Sequence, residues 1–572
     1  MTLTILCWIW KSAVVLNQTF LYECEEALSI KRAKLSPHNV TNKLSLRSRV
    51  NFKLLPDYEA CVTVSRLYYP SLKAALMTRK DTTSVGSVYD PRHRRKQMLI
   101  ASLWVVISLV ILRLSTAIKS AFISRYFTKE EVGVISVIVL LHVAIKAFTE
   151  MGHESALIQR RDEGIKRAIN TAWVGAIIRG FALCVVLALA APYLSEFYRA
   201  PLLTPMIQAS ALYFLIVGFR DLHQVMLIRE MSFSKPKMIG ALAGVIELGV
   251  TLFVGLYYQT IWCVVIGGIC LHLFQTIASF FISPKGLKLE FSYSDFKELF
   301  RFGVHIQIIS ILVFLVSQLD NIVIGRTLSL EQLAIYANAY LLANLPSTQV
   351  ISTATQVTYP MWSRVVREGG AELRAQMFLN TVRLTMSLCL AISLGLYIGG
   401  GDLIELIFGP GWREAERPFK ILLLFSLWRA LGSTCSPLFK AIGKPQVVTI
   451  EIALKSLFVA LLIYPMTERY GLIGASWAVT LPMALITPWA LIRYFRLAEV
   501  SVSSVIKTLQ LPVLLCSMSM ILWLAAETYE LTPRGLFARG FLLPSVIIIG
   551  ILALQISLDP QLRAIIRFKG QT

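Results

Sequence analysis

The chain has 572 residues, 56% of them hydrophobic and only 16% charged, with a mean hydropathy of +0.64 and a formal charge of +22. A soluble chain would carry about 25% charge, so an ordinary soluble globular protein is excluded. The positive excess sits in short intervals between apolar runs, where Lys and Arg mark one side of a membrane, and it does not read as a nucleic-acid surface. The nine cysteines contain no CxxC and no paired metal spacing. Six of them (Cys184, Cys263, Cys270, Cys389, Cys435 and Cys516) fall in or near apolar spans and read as small buried hydrophobes.

Residues 1–97 differ in character from the rest of the chain. Thr2 to Trp10 is apolar, but Lys11 interrupts it and no small-residue cleavage site succeeds it, which fits a signal peptide poorly. Sixteen basic against seven acidic residues give this segment a net +9. It reads either as a cytoplasmic tail with its own partner or as an upstream extension of a chain that starts near Met77, and the second is expected. Both readings keep the basic cluster Arg92, Arg94, Arg95 and Lys96 ahead of the first span, where it would hold an N-terminus inside.

From Met98 the pattern is regular. Apolar segments fall at about 99–124, 132–150, 169–192, 204–227, 236–258 and 261–283, then at 299–324, 331–356, 378–400, 419–440, 446–466 and 471–493, and lastly at 503–526 and 538–557. Most are long enough to cross a hydrocarbon core of about 30 Å. Backbone polar groups in lipid must be satisfied within the segment, so each reads as a helix. The expectation is an all-α polytopic membrane protein of about 14 transmembrane helices. With the N-terminus inside, the inner intervals carry 22 Lys and Arg against ten in the outer ones, which favours both termini on the cytoplasmic side.

The chain repeats itself. Leu112 to Gly133 reads LRLSTAIKSAFISRYFTKEEVG, and Leu319 to Ala334 reads LDNIVIGRTLSLEQLA. At an offset of 201, Ile123, Arg125 and Glu130 meet Ile324, Arg326 and Glu331. The segment FSKPK ends at Lys237 and IGKPQ ends at Gln446, and each opens a helix that is followed by a very short outer turn. The expected organisation is an N-terminal extension (1–97), a first six-helix lobe (98–283), a cytoplasmic linker (284–298), a second six-helix lobe (299–495) and two extra helices with a tail (496–572). Ser292 to Asp295 has a capping signal, so either a short interfacial helix or an ordinary solvated loop precedes the second lobe.

Three stretches carry a resemblance. They are SLWVVISLVILRLSTAIKSAFISRYFTKEEVGVISV, AFTEMGHESALIQRRD and SQLDNIVIGRTLSLEQLAIYANAYLLANLPS. Together they resemble the polysaccharide repeat-unit flippases of the Wzx type, which include the colanic and teichuronic acid exporters. The resemblance covers roughly residues 98–500. It implies a two-lobe, fourteen-helix fold of the multidrug/oligosaccharidyl-lipid/polysaccharide exporter superfamily. It also implies a cargo of oligosaccharide on undecaprenyl diphosphate, turned from the inner to the outer leaflet of a bacterial plasma membrane. A polysaccharide polymerase and a chain-length regulator are the implied protein partners. No cofactor is implied, and a coupling ion is left open.

A flippase needs a hydrated cationic cavity for a diphosphate head group. Charges inside spans cost about 2.5–3.5 kcal/mol each on insertion scales and face a cavity or a partner. The candidates are Arg113 and Lys119 on the first helix, Lys146 on the second, Arg179 on the third and Arg220 on the fourth. The resemblance to lipid II flippases matches Arg113, Lys119 and Lys146 to a basic lumen. Six residues apart on a helix is 240° modulo a turn, so Arg113 and Lys119 do not share a narrow face. Lys119 and Lys146 could instead snorkel to an interface, and Arg220 could pair with Asp221 or a neighbouring helix. Asp320 and Asn321 read first as groups that hydrogen-bond between helices and second as an ion site. The scattered histidines form no metal spacing.

Two other functions would leave different marks. A multidrug/cation antiporter would keep this fold but favour acidic residues in the cavity, against the basic excess seen here. A membrane polymerase or ligase would carry a long outer loop, and the outer intervals here are short. No GxxxxGK[ST] phosphate loop occurs, and no enzymatic activity is expected.

Overall fold

The computed structural model of the protein describes residues 91–149, 157, 164–222, 224–229, 234–282, 288–351, 362, 365–366, 370–442, 446–529 and 535–558. The expectations for residues 1–90, the ALIQRRD interval, the basic clusters at 364–367 and 563–569, and the side chain of Lys146 lie outside these. Those described from Trp104 onward pack as one unit.

Every regular element among the described residues is helical. In chain order these are α1 (Pro91–Tyr126), α2 (Lys129–Thr149), α3 (Ile165–Phe197), α4 (Leu203–Gly218) and α5 (Gln224–Arg229). Then come α6 (Ser234–Tyr258), α7 (Trp262–Ile282), α8 (Tyr293–Thr327), α9 (Leu330–Ala343) and α10 (Ala371–Phe408). The last are α11 (Glu416–Ile442), α12 (Gln446–Ala498), α13 (Val502–Thr528) and α14 (Leu543–Leu558). Nine helices among the described residues are long and apolar enough to cross a membrane. The chain is a multi-pass, all-α membrane protein.

The echo read from the sequence returns as local structure. At the start of α2, the Thr128 backbone N–H donates to Glu131 Oε2 at 2.9 Å while the Glu131 N–H donates back to Thr128 Oγ1 at 3.3 Å, a reciprocal capping box. At the start of α9, 201 residues on, the Gln332 N–H donates to Ser329 Oγ at 3.2 Å. The two short outer turns also match. α6 and α7 are joined by three residues, with Gln259 at φ 49.

α12 is two antiparallel arms, because the Tyr494 hydroxyl donates to Glu451 Oε2 at 2.6 Å, which a straight helix could not allow. The reversal lies at Gly471, at φ 58 and ψ −140, where a side chain would be strained. Just beyond it the backbone of Gly474 lies against the Met466 carbonyl, where a Cβ would come within 1.9 Å.

The helices pack in two sets, with α2 set mainly against the second. α3 packs with α4, α6 with α7 and α4 with α7 in the first set; in the second, α8 packs with α12, α9 with α11 and α10 with α11. α13 and α14 lie on α10, whose Gly395 and Gly399 leave room for Ile548 and Pro544. The two sets meet where α2 packs on α8 and α9, and where α3 packs on α8.

Two expectations are corrected. Ser292 does cap a helix, accepting from the Asp295 N–H, but no separate interfacial helix forms: α8 runs unbroken from Tyr293 to Thr327. The linker is instead fixed on α3, where Arg167 Nε donates to Asp295 Oδ2 at 2.7 Å and Asn170 Nδ2 to Glu290 Oε2 at 3.2 Å. The span expected at 204–227 is also interrupted. α4 stops at Gly218 and α5 begins at Gln224. The reason is close packing: Gly218 and Gly180 leave α4 and α3 in backbone contact, and the chain then turns so that the Asp221 N–H reaches Ser279 Oγ on α7.

Candidate functional site

Among the described residues, α1 meets other helices along one flank and at its C-terminal end. Along its flank it follows α6 over glycines: a Cβ on Gly244 would stand 2.8 Å from Leu112 Cδ1, and one on Gly255 2.7 Å from the Phe122 ring. Between these contacts the Lys119 ammonium meets the Glu247 carboxylate, both partly buried. Each charge offsets the burial cost of the other.

The C-terminal end of α1 is tied to the second set. Trp412 Nε1 donates to the Ser124 carbonyl at 2.8 Å, and Asn338 Nδ2 donates to Ser124 Oγ at 2.9 Å. The Arg125 guanidinium donates to the carbonyls of Leu406 and Ile407, the latter at 2.9 Å. Those carbonyls belong to the last turn of α10, where the final C=O groups have no partner within the helix and the helix dipole favours a cation.

The same end is closed by packing. A Cβ on Gly133 of α2 would fall 2.1 Å from the Leu330 carbonyl oxygen of α9, so only glycine allows the two helices to approach so closely. Lys129 reaches Glu331 at 3.2 Å and Glu414 at 3.3 Å. Beneath lies an apolar cluster in which Ile123, Val132, Leu330, Leu333, Ile404, Phe408 and Trp412 are all buried. At the opposite end the sets meet instead through polar side chains, the Arg167–Asp295 pair and the bond from Gln307 Nε2 to the Ala147 carbonyl at 2.8 Å.

Arg113 stands apart from this framework. It lies within the apolar stretch Ile107–Tyr126, its side chain is exposed, and it makes no hydrogen bond or ion pair among the described residues. An uncompensated guanidinium within an apolar span is costly and calls for water or an anion beside it. The angular separation expected between Arg113 and Lys119 is real: one side chain is open and the other is held by α6.

The remaining candidates are dispersed. The charge of Lys119 is already compensated by Glu247, so it is less available to a head group than the sequence suggests. Arg179 is half-buried on α3 and engaged with a partner. Arg220 lies in the break between α4 and α5, with Nη2 donating to Gln275 Oε1 of α7 at 2.6 Å. This is the pairing with a neighbouring helix that the sequence offers as one reading of Arg220.

Asp320 is buried on α8 and accepts from the Tyr336 hydroxyl of α9 at 2.7 Å, while Asn321 Nδ2 donates to Gln318 Oε1 at 2.8 Å. Asp320 thus joins two helices of one set. No group of His, Cys, Asp or Glu among the described residues is arranged to hold a metal ion.

Sequence patterning does not disclose the roles of three residues that the structure makes prominent. Arg125 reads as an outer-loop cation and proves to be a clasp between the two sets. Trp412 reads as a loop aromatic and is buried in the seal. Arg429 on α11 donates from Nη1 to Asn344 Oδ1 at 3.2 Å, beside Tyr340. Only Arg125 had a signal that could have found it, its recurrence as Arg326 in the repeat.

Comparison with known proteins places the chain. The family described as "Polysaccharide biosynthesis protein" matches residues 122–417. "Teichuronic acid biosynthesis protein TuaB" of Bacillus subtilis is 24% identical over 414 residues, covering 70% of this chain and 84% of that protein. "Lipopolysaccharide biosynthesis protein WzxC" of Escherichia coli is 21% identical over 395 residues, covering 68% and 79%. Among solved structures, "Lipid II flippase MurJ, inward closed conformation" superposes with a TM-score of 0.64 at 13% identity, covering 80% of this chain and 99% of that one. An inward-facing multidrug resistance MATE family transporter of the MOP superfamily superposes with a TM-score of 0.56 at 15% identity, covering 69% and 99%.

Proposed function

The chain belongs to the polysaccharide biosynthesis protein family, and from that premise we propose that it is a flippase for lipid-linked oligosaccharide repeat units. Its cargo is an oligosaccharide on undecaprenyl diphosphate, moved from the inner to the outer leaflet of a bacterial plasma membrane for assembly of a surface polysaccharide. The protein does not itself make or break a glycosidic bond. Both termini are cytoplasmic, and the lobes are 98–283 and 299–495.

The observation that carries this reading is Arg113, an exposed cation without a partner among the described residues, set within an apolar helix. A diphosphate supplies the missing anion, and a cation–diphosphate contact is stronger in a low-dielectric cavity than in water. A cationic drug would be repelled at the same place. The sealed end, where Arg125, Trp412 and Lys129 cross between lobes, is the outer gate in its closed state. Arg113 then meets the head group from the cytoplasmic side, and rocking of the lobes carries it across.

The test is leaflet-resolved. Deleting the gene should leave lipid-linked units on the cytoplasmic leaflet and strip the surface polysaccharide, and the full chain should reverse both. Normal surface polysaccharide with altered drug tolerance would favour the antiporter instead. The polymerase and the chain-length regulator that act on the delivered units are the natural partners, and affinity capture in native membranes would identify them.

A further inference from the structure

We propose that a recess between α2, α3 and α8 holds one acyl chain of an anionic phospholipid whose phosphate is bound by Arg326. The recess has a volume of about 260 Å³ and is lined by Leu140, Leu141 and Ala144 of α2, by Leu194, Phe197 and Tyr198 at the end of α3, and by Phe314 and Ile322 of α8. Every lining side chain is apolar or aromatic. An apolar cavity does not hold water, and in a bilayer a recess of this kind fills with hydrocarbon.

The deep wall is formed by Tyr198. Its ring lies on the bare backbone of Gly325, where a Cβ would come within 2.8 Å. The mouth is formed by Phe197, which is 40% exposed. The Arg326 guanidinium stands 5.3 Å above the Phe197 ring and is itself exposed. Its N–H donors have no acceptor among the described residues.

A planar guanidinium with free donors is suited to bidentate phosphate binding. Here it sits on the aromatic residue that also borders the apolar recess. Head-group site and chain site are therefore contiguous, which is the arrangement an amphiphile requires. One guanidinium balances the single negative charge of a phosphodiester, and the adjoining recess takes one hydrocarbon chain, which fits an anionic bulk phospholipid. Because α2 and α3 belong to the first helix set and α8 to the second, a chain lodged there lies between them as they move.

The full chain, purified in detergent, can be tested by native mass spectrometry after exchange with phosphatidylglycerol or phosphatidylcholine. Wild type should retain one phosphatidylglycerol at least tenfold more often than one phosphatidylcholine. Arg326→Gln, a surface change, should retain both lipids equally. Ala144→Phe, which fills the recess, should retain neither, with Ile322→Phe as a second filling variant should the first fail to fold. Retention of phosphatidylglycerol unchanged in the filled variant, or an unchanged preference in Arg326→Gln, would overturn the proposal. So would wild type that carries away no lipid, or only a lipid-linked oligosaccharide.

Discussion

Arg125 and Arg326 stand 201 residues apart in the repeat, and each reaches the end of a helix in the opposite set. Arg125 donates to the Leu406 and Ile407 carbonyls in the last turn of α10, and Arg326 lies over Phe197, the last residue of α3. The equivalence stops at chemistry. Arg125 satisfies backbone carbonyls and so clasps two helices, whereas Arg326 rests on a ring with its donors unused. Two copies of one motif have thus become a clasp on one side and an open cation on the other.

The clasp gives a prediction about the gate. Ala334 is fully buried in the seal beside Leu330 and Leu333. Ala334→Cys should resist a membrane-impermeant maleimide added from outside. Adding Arg125→Ala, which removes the bonds to α10, should raise its labelling several-fold. Gly133→Val should do the same more strongly, because its side chain would be driven into the Leu330 carbonyl. Equal labelling in all three backgrounds would mean that this end is not a gate.

The Lys119–Glu247 pair predicts a coupled effect on folding. Breaking a fully buried pair costs about 3–5 kcal/mol; these two groups are partly exposed, so about 1–3 kcal/mol is expected for Lys119→Met or Glu247→Gln alone. The double variant should recover most of the loss, because no lone charge remains. Thermal unfolding in detergent, followed for the two singles and the double, measures the coupling. Strictly additive losses would show that the pair is not an interaction unit.

Gly471 predicts a backbone effect without any lost contact. A Cβ there meets no neighbour within 4 Å, yet the residue sits at φ 58 with ψ −140, a region that side chains avoid. Gly471→Ala should therefore destabilise by roughly 1–3 kcal/mol through strain at the hairpin, readable as a fall in Tm. A substitution at Gly240, also in open space but within α6, should be nearly neutral or mildly stabilising. Equal effects at the two positions would contradict the assignment of strain.

These residues also show what the sequence could and could not disclose. Hydropathy and charge asymmetry sufficed for a polytopic helical chain, since a membrane leaves the backbone few alternatives. The repeat was legible through recurring residues and short turns, as at Arg125 and Arg326, and the caps at Thr128 and Ser329 then follow from local chemistry. Charge placement was only half legible. A helical wheel separated Arg113 from Lys119, but no local pattern could supply Glu247, 128 residues away, as the partner of Lys119. The break in the span expected at 204–227 was illegible for a related reason: contact between Gly180 and Gly218 is a property of two helices together. Arg125 was legible as a repeated residue but not as a clasp, and Trp412 not at all, because such roles appear only once the two sets are brought together.

The central claim rests on Arg113 as the cation that meets the diphosphate. Its side chain is exposed and has no partner among the described residues, so Arg113→Ala should leave membrane abundance close to wild type while export falls at least tenfold. Arg113→Lys should retain part of the activity, keeping the charge but not the guanidinium fork. The decisive measurement is the amount of lipid-linked repeat unit on the cytoplasmic leaflet, taken alongside the amount of folded protein. The account predicts accumulation of that lipid in Arg113→Ala at normal protein abundance. Wild-type export by Arg113→Ala, or its disappearance from the membrane, would contradict it.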